Sequence, residues 1–226
     1  MTELKSAAPT TKDRILDAAE QLFADKGFAE TSLRDITAAA GANLASVNYH
    51  FQSKDALILA VFARSVRPLN EKRLAELDAL EAKAAGRPVP LEDVLRAFLR
   101  PMLELIGQPN AARLVGRMFA DPGDIFEHFF KEQIAATADR FMAVMRRSLP
   151  HLPEIEMYWR LLFMAGAVGH TMAGLRKIKV VSGGRCDVSD VNALLDRLVA
   201  FLAAGFRAPV PPSVKVKGKS ACKRSR

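Results

Sequence analysis

Apolar residues recur at helical spacing from one end of the chain to the other, and nowhere alternate as in a half-buried strand. Ile15, Ala19, Leu22 and Phe23 fall at i, i+4, i+7 and i+8, which predicts a helix capped by Thr10 or Thr11 and ended by Gly27. Leu33 and Ile36 open a second helix, with Ser32 and Asp35 spaced as a capping box and Gly41 as its stop. Asn43 heads a short third helix over 44–50, in which Val47 and Phe51 lie on one side and face back towards Leu33 and Ile36. Ser53 caps a fourth, DALILAVFARSV, which Pro68 is expected to kink or break before LNEKRLAELDALEAKAA resumes the pattern. Further helices are predicted over LEDVLRAFLRPMLELIG, with Pro101 a second kink, and around 111–120. Others cover 124–149, carried by Ile125, Phe129, Ile134, Phe141, Met145 and Leu149, then 154–181, and finally VNALLDRLVAFLAAGF. The architecture is all-α, with nine helices.

The stretch 28–55 has the form of a helix-turn-helix. Ala38, Ala39 and Ala40 are too small to hold a neighbouring helix away, and Gly41 permits the sharp turn. With Val47 and Phe51 inward, the third helix leaves Leu44, Ala45, Ser46, Asn48, Tyr49 and His50 outward. Ser46 and Asn48 are able to bond base edges or phosphates, Tyr49 suits a thymine methyl or a phosphate, and Lys54 stands just beyond for another phosphate. A short amphipathic hairpin inside some other bundle, with these as ordinary surface residues, has the same spacing.

The chain of 226 residues is half hydrophobic and 7% aromatic, which fits a soluble globular protein of one or two domains. Its net charge of +8 does not come from the helix-turn-helix: residues 1–55 hold six Lys or Arg against eight Asp or Glu. DNA affinity must therefore come from local cations and helix N-termini. Most of the excess lies in the tail, where Lys215, Lys217, Lys219, Lys223, Arg224 and Arg226 meet no acid; with its prolines, the tail reads as solvated and disordered rather than as a nonspecific DNA contact. Cys186 and Cys222 do not form a disulfide framework, the N-terminus lacks an apolar signal core, and the apolar run 161–175 is too short to span a bilayer. A cytoplasmic protein with no membrane partner is expected. Its four histidines stand in no metal or nucleophile motif, and no phosphate or dinucleotide loop is present, so neither catalysis, metal nor cofactor is expected.

In the C-terminal half, one helix carries Phe163, Ala167, His170 and Gly174, and the last carries Val191, Leu194, Leu198, Phe201, Leu202 and Gly205. Such faces could pair with a second copy as a four-helix bundle or pack within one subunit. Phe98, Met102, Leu105, Met118, Phe119, Phe126, Phe130, Met142, Trp159, Phe163 and Met164 could line an apolar cavity or be plain core. Arg113 and Arg117, four apart among apolar neighbours, could reach inward to an acidic ligand head or lie in surface ion pairs.

From about residue 11 to 61, ILDAAEQLFADKGFAETSLRDITAAAGANLASVNYHFQSKDAL resembles the N-terminal domain of the tetracycline-repressor (TetR) family of bacterial transcription regulators. The resemblance implies base and phosphate contacts from Leu44, Ala45, Ser46, Asn48, Tyr49 and His50, and phosphate contacts from Thr31 or Ser32 and from Lys54. Asn48 stands where many members have an aromatic residue, so the operator sequence does not transfer. It also implies a homodimer joined through the last two helices and reading a palindromic operator in double-stranded DNA. ALILAVFARSVRPLNEKRLAEL, RLVGRMFADP and LPEIEMYWRLLFMAGAVGHTMAGLRKI resemble the fatty-acid-responsive repressors, which implies a long-chain fatty acid or acyl-CoA as a small hydrophobic effector. The expected organisation is an arm over 1–10, a DNA-binding domain over 11–55, a ligand-binding and dimerisation domain over 56–207, and a basic tail over 208–226. A helical adaptor without a DNA role is the alternative.

Overall fold

The computed structural model describes residues 8–107, 110, 113–114 and 124–212. Among these every regular element is helical, and there are nine α-helices. The first four are α1 (Thr11–Lys26), α2 (Leu33–Ala40), α3 (Leu44–Phe51) and α4 (Lys54–Ala84). They are followed by α5 (Leu91–Leu103), α6 (Asp124–Phe129), α7 (Ala135–Ser148), α8 (Glu154–Val181) and α9 (Val191–Arg207). The helix expected around 111–120 lies largely outside the described residues, as do most of the arm and the tail from 213 onward.

Two expectations are corrected. Of the kink or break expected at Pro68, the break does not occur: α4 runs continuously for 31 residues. Proline removes one backbone bond, but Val66 and Leu69 on either side of it are buried in separate apolar clusters that hold both halves of the helix. Pro101 is likewise inside α5, which then tightens into a 3-10 turn over Glu104–Gly107. The single helix expected over 124–149 is divided by a π-helical turn, Phe130–Ile134.

That turn adds a residue to the helical repeat, so the apolar stripes before and after it face different neighbours. Phe129 and Ile134 pack into the N-terminal cluster with Ile15, Phe23, Ile36, Val47, Leu57 and Phe62. Phe141, Val144 and Met145 instead join the larger cluster with Leu77, Leu95, Leu99, Leu195 and Phe206. Helix α4 crosses both. Arg160 on α8 is only 7% exposed and donates from Nη1 to the carbonyls of Gly205 and Phe206 at 3.1 and 2.6 Å, closing the end of α9. Among the described residues no helix is long and apolar enough to cross a membrane, and no group of three His, Cys, Asp or Glu side chains could hold a metal ion.

Candidate nucleic-acid interface

Each element of the helix-turn-helix is set by local hydrogen bonds. Ser32 Oγ accepts from the Asp35 amide at 3.1 Å while Asp35 Oδ2 accepts from the Ser32 amide at 3.1 Å, fixing the start of α2. The Asp35 carboxyl is held below its ordinary value by the Ser32 hydroxyl, which donates to Oδ2 at 2.7 Å, and by the Ser32 amide. Gly41 adopts a left-handed conformation (φ 58°), and the Ala42 amide donates back to the Thr37 carbonyl at 3.0 Å. A side chain at Gly41 would strain this turn. Asn43 Oδ1 then accepts from the Ser46 amide at 2.8 Å and starts α3.

Helix α3 buries Val47 completely and Phe51 almost so, against Ile36 and the α1 stripe. Its other face is open. Tyr49 is 83% exposed, Leu44 45%, and Ala45 and Asn48 are exposed beside them. Ser46 and His50 are half-buried; the Ser46 hydroxyl lies 3.0 Å from Asn43 Oδ1, and the His50 ring meets Tyr49 edge-on at 5.0 Å between centroids. Gln52 ends the helix at φ 66°, and Ser53 Oγ accepts from the Ala56 amide at 3.0 Å to start α4. Lys54, in that first turn, donates from Nζ to the Ala29 carbonyl at 3.4 Å, which brings the cation over the loop before α2. The arrangement presents a convex helix with mixed apolar, amide and phenol groups and a cation at its rim, the chemistry of base-edge and phosphate contact.

Of the two hydroxyls expected near the phosphates, Ser32 is exposed and Thr31 is not. Thr31 is completely buried, and its Oγ1 donates to the Gly27 carbonyl at 2.7 Å with the Leu22 carbonyl at 3.3 Å. It ties the α1 terminus to α2 and is out of reach of DNA. Arg34, exposed on α2, is a cation of the same unit to which the sequence reading gave no role.

Residues 15–61 match the family model for bacterial regulatory proteins of the tetR family. Residues 96–205 match a second one, for the tetracyclin repressor-like C-terminal domain. The chain belongs to the TetR family. It is a family of DNA-binding transcription regulators rather than enzymes. The HTH-type transcriptional regulator AcrR of Shigella flexneri is 35% identical over 112 residues, 49% of this chain and 48% of that protein. The chain thus spans about half the length of the curated relatives it matches, or less. Two solved structures share the fold. The fatty acid degradation regulator FadR from Bacillus halodurans is 16% identical with a TM-score of 0.59, covering 91% of this chain and 100% of that one. SmeT, the repressor of the Stenotrophomonas maltophilia multidrug efflux pump SmeDEF, is 20% identical with a TM-score of 0.60, covering 87% and 90%.

Within this TetR-family frame the C-terminal candidates separate. Phe98, Met142 and Met164 line one apolar cavity with Val94, Leu95, Phe141 and Met145, of about 50 Å³. Met102 is buried in the same core, and Leu105 faces a cleft between α4 and α5. Trp159 and Phe163 do not line it: they are 51% and 64% exposed on the outer side of α8, because the inner side is filled by Met157, Met164 and Val168. Phe130 is also exposed, at 41%. Arg113 reaches outward and pairs with Asp25 of α1 at 2.8 Å. Arg117, Met118, Phe119 and the Phe126 side chain lie outside the described residues.

Of the pairing candidates, His170 and Phe201 are exposed, while Ala167, Gly174 and Leu194 are half-buried. Leu198 and Leu202 belong to the subunit's own core, because they lie on the side of α9 that packs with α5.

Proposed function

We propose that this chain is a homodimeric transcriptional repressor whose two α3 helices enter successive major grooves of a palindromic operator, and from which a small apolar effector releases it. The observation that carries the reading is the open face of α3: Val47 and Phe51 fix the helix from behind while Leu44, Ala45, Asn48 and Tyr49 stand uncovered. Asn48 suits bidentate contact with an adenine edge, and Tyr49 suits a phosphate or a thymine methyl. Ser46 and His50 support them, and Ser32 and Lys54 meet the backbone on either side. The DNA-reading unit proposed is 11–55, with 56–207 for pairing and ligand and the residues from 208 as a basic tail; α4 joins the first two.

Pairing is supported by the exposed side of α8, with Trp159, Leu162, Phe163 and His170, and by the exposed Phe201 of α9. A second copy of that face would bury both, and two-fold symmetry sets the half-site centres about 34–36 Å, or a multiple, apart. The cavity beside Phe98 supports an apolar effector. FadR, a neighbour named for fatty acid degradation, favours an acyl compound. The test starts from DNA fragments selected by the wild-type protein from a random pool. Asn48→Ala with Tyr49→Ala is expected to cut affinity by more than tenfold at constant salt with the helical spectrum unchanged, and equal affinity would leave a helical adaptor as the better reading.

A further inference from the structure

Among the described residues the C-terminal core holds a charge without a counter-charge. Arg73 of α4 is 3% exposed. Its Nε donates to the Phe98 carbonyl at 2.8 Å and its Nη1 to Asn70 Oδ1 at 3.0 Å. Among the described residues its Nη2 has no hydrogen-bond partner. The guanidinium carbon lies 4.1 Å from the centroid of the Phe98 ring, and Asn70 Nδ2 donates to the Gln133 carbonyl in the π turn at 2.6 Å. Among the described residues no carboxylate answers this cation, and burial alone lowers its pKa, to about 10. An isolated buried charge is costly unless something pairs with it.

The Phe98 ring that covers Arg73 also lines the apolar cavity with Phe141, Met142, Met145 and Met164. At about 50 Å³ this space is closed to anything beyond a few atoms. Three flexible methionines and a ring as partition are walls that repack when a guest enters. We infer that Arg73, oriented by Asn70, receives the carboxylate head of an amphiphilic effector whose apolar body opens the cavity beyond Phe98. This rests on the ligand-responsive reading above and names its ligand class.

The unsatisfied Nη2 would pair one carboxylate oxygen with a charge-assisted bond. A phosphate head, with more charge and more acceptors, would be left largely unpaired among Phe and Met side chains. Arg113, which the sequence suggested for such a role, is paired at the surface instead.

Dodecanoate, methyl dodecanoate and dodecyl phosphate are titrated calorimetrically into the full chain, as wild type, Arg73→Met and Arg73→Lys. Wild type is expected to prefer the carboxylate to the ester and the phosphate by about tenfold or more, the worth of one charge-assisted bond. Arg73→Met is expected to lose the preference with its affinity for the ester within threefold, and Arg73→Lys to keep part of it. Equal binding of acid and ester by wild type, an unchanged preference in Arg73→Met, or no binding of the acid overturns the assignment. The wild-type comparison needs no variant, so a folding defect does not obscure it. Binding of selected DNA by the same preparation keeps the outcomes apart: DNA bound without acid preference removes Arg73 as anchor and leaves the regulator standing.

Discussion

Thr31 and Ser32 are adjacent hydroxyls with opposite surroundings, one wholly buried against α1 and one exposed at the head of α2. The family resemblance implied a phosphate contact for one or the other; burial divides them. Thr31→Val is expected to lower stability by about 1 kcal/mol, the worth of one hydrogen bond, with DNA affinity unchanged. Chemical denaturation and DNA titration read the two effects separately. Arg73 carries a larger effect of the same origin. Its folded pKa of about 10 lies below the ordinary arginine value, so burial of the charge weakens the fold at every pH below about 10 and is relieved only as the proton is lost above it. Arg73→Met should therefore raise stability by roughly 1–4 kcal/mol, the range for replacing buried ions by apolar groups. The gain should be constant between pH 6 and 9. A fall in melting temperature would mean that the bonds to Phe98 and Asn70 outweigh the burial of the charge. The sequence shows neither case, since an arginine four residues from another arginine looks more like a ligand anchor than one flanked by Lys72.

Helix ends were the most legible feature at the next scale, because a cap is chemistry between near neighbours. Ser32 with Asp35, Asn43 and Ser53 all cap where the sequence placed them, and of Thr10 and Thr11 it is Thr10 that caps, in a box with Asp13. The effects of proline were less legible, since packing on both sides of Pro68 offsets one lost bond. The π turn left a trace in the sequence: Phe129 and Ile134 both face the N-terminal core yet are five apart, a step that an α-helix does not make on one face. The last helix is held by side chains far away in sequence. Arg207 at its end pairs with Glu92 in the first turn of α5, and its hydrogen bonds hold the Glu92 carboxyl down to about 2 from an ordinary 4.5. A carboxyl lowered by folding stabilises above its unfolded value, so this contribution is present above about pH 4.5 and lost as the pH falls towards 2. Both partners are well exposed, which limits it to roughly 0–1 kcal/mol. Glu92→Gln is expected to melt slightly below wild type at pH 7, with the two curves converging near pH 2. A difference that grows in acid would exclude this pair as the cause.

For the whole molecule, helical class and the helix-turn-helix were visible in the sequence, while the direction of each apolar face in the C-terminal half was not. Helix α8 is apolar on several sides, and only its neighbours show that Met164 points inward and Phe163 outward. The same holds for Phe129, which sits on α6 yet is buried in the N-terminal core. Its ring meets Phe62 at 5.3 Å, Phe62 meets Phe28 at 5.4 Å, and Phe28 meets Phe23 of α1 at 5.5 Å. Four residues beyond Phe129, the Gln133 carbonyl accepts from Asn70, the neighbour of Arg73. A guest that moves Arg73 and Asn70 would therefore meet a contiguous set of contacts running through the π turn to the aromatic packing behind α3. Contiguity alone is not coupling, so the decisive variant must leave both binding sites intact. Phe129→Leu keeps apolar volume but removes the ring contact with Phe62. Effector affinity and effector-free DNA affinity are each expected within threefold of wild type. Release by effector, at least tenfold in wild type for about 1.4 kcal/mol of coupling, should fall below threefold. Fluorescence anisotropy of a labelled operator, titrated with and without saturating effector, measures all three quantities. Full release by the leucine variant would send the signal along another path, through the body of α4 itself.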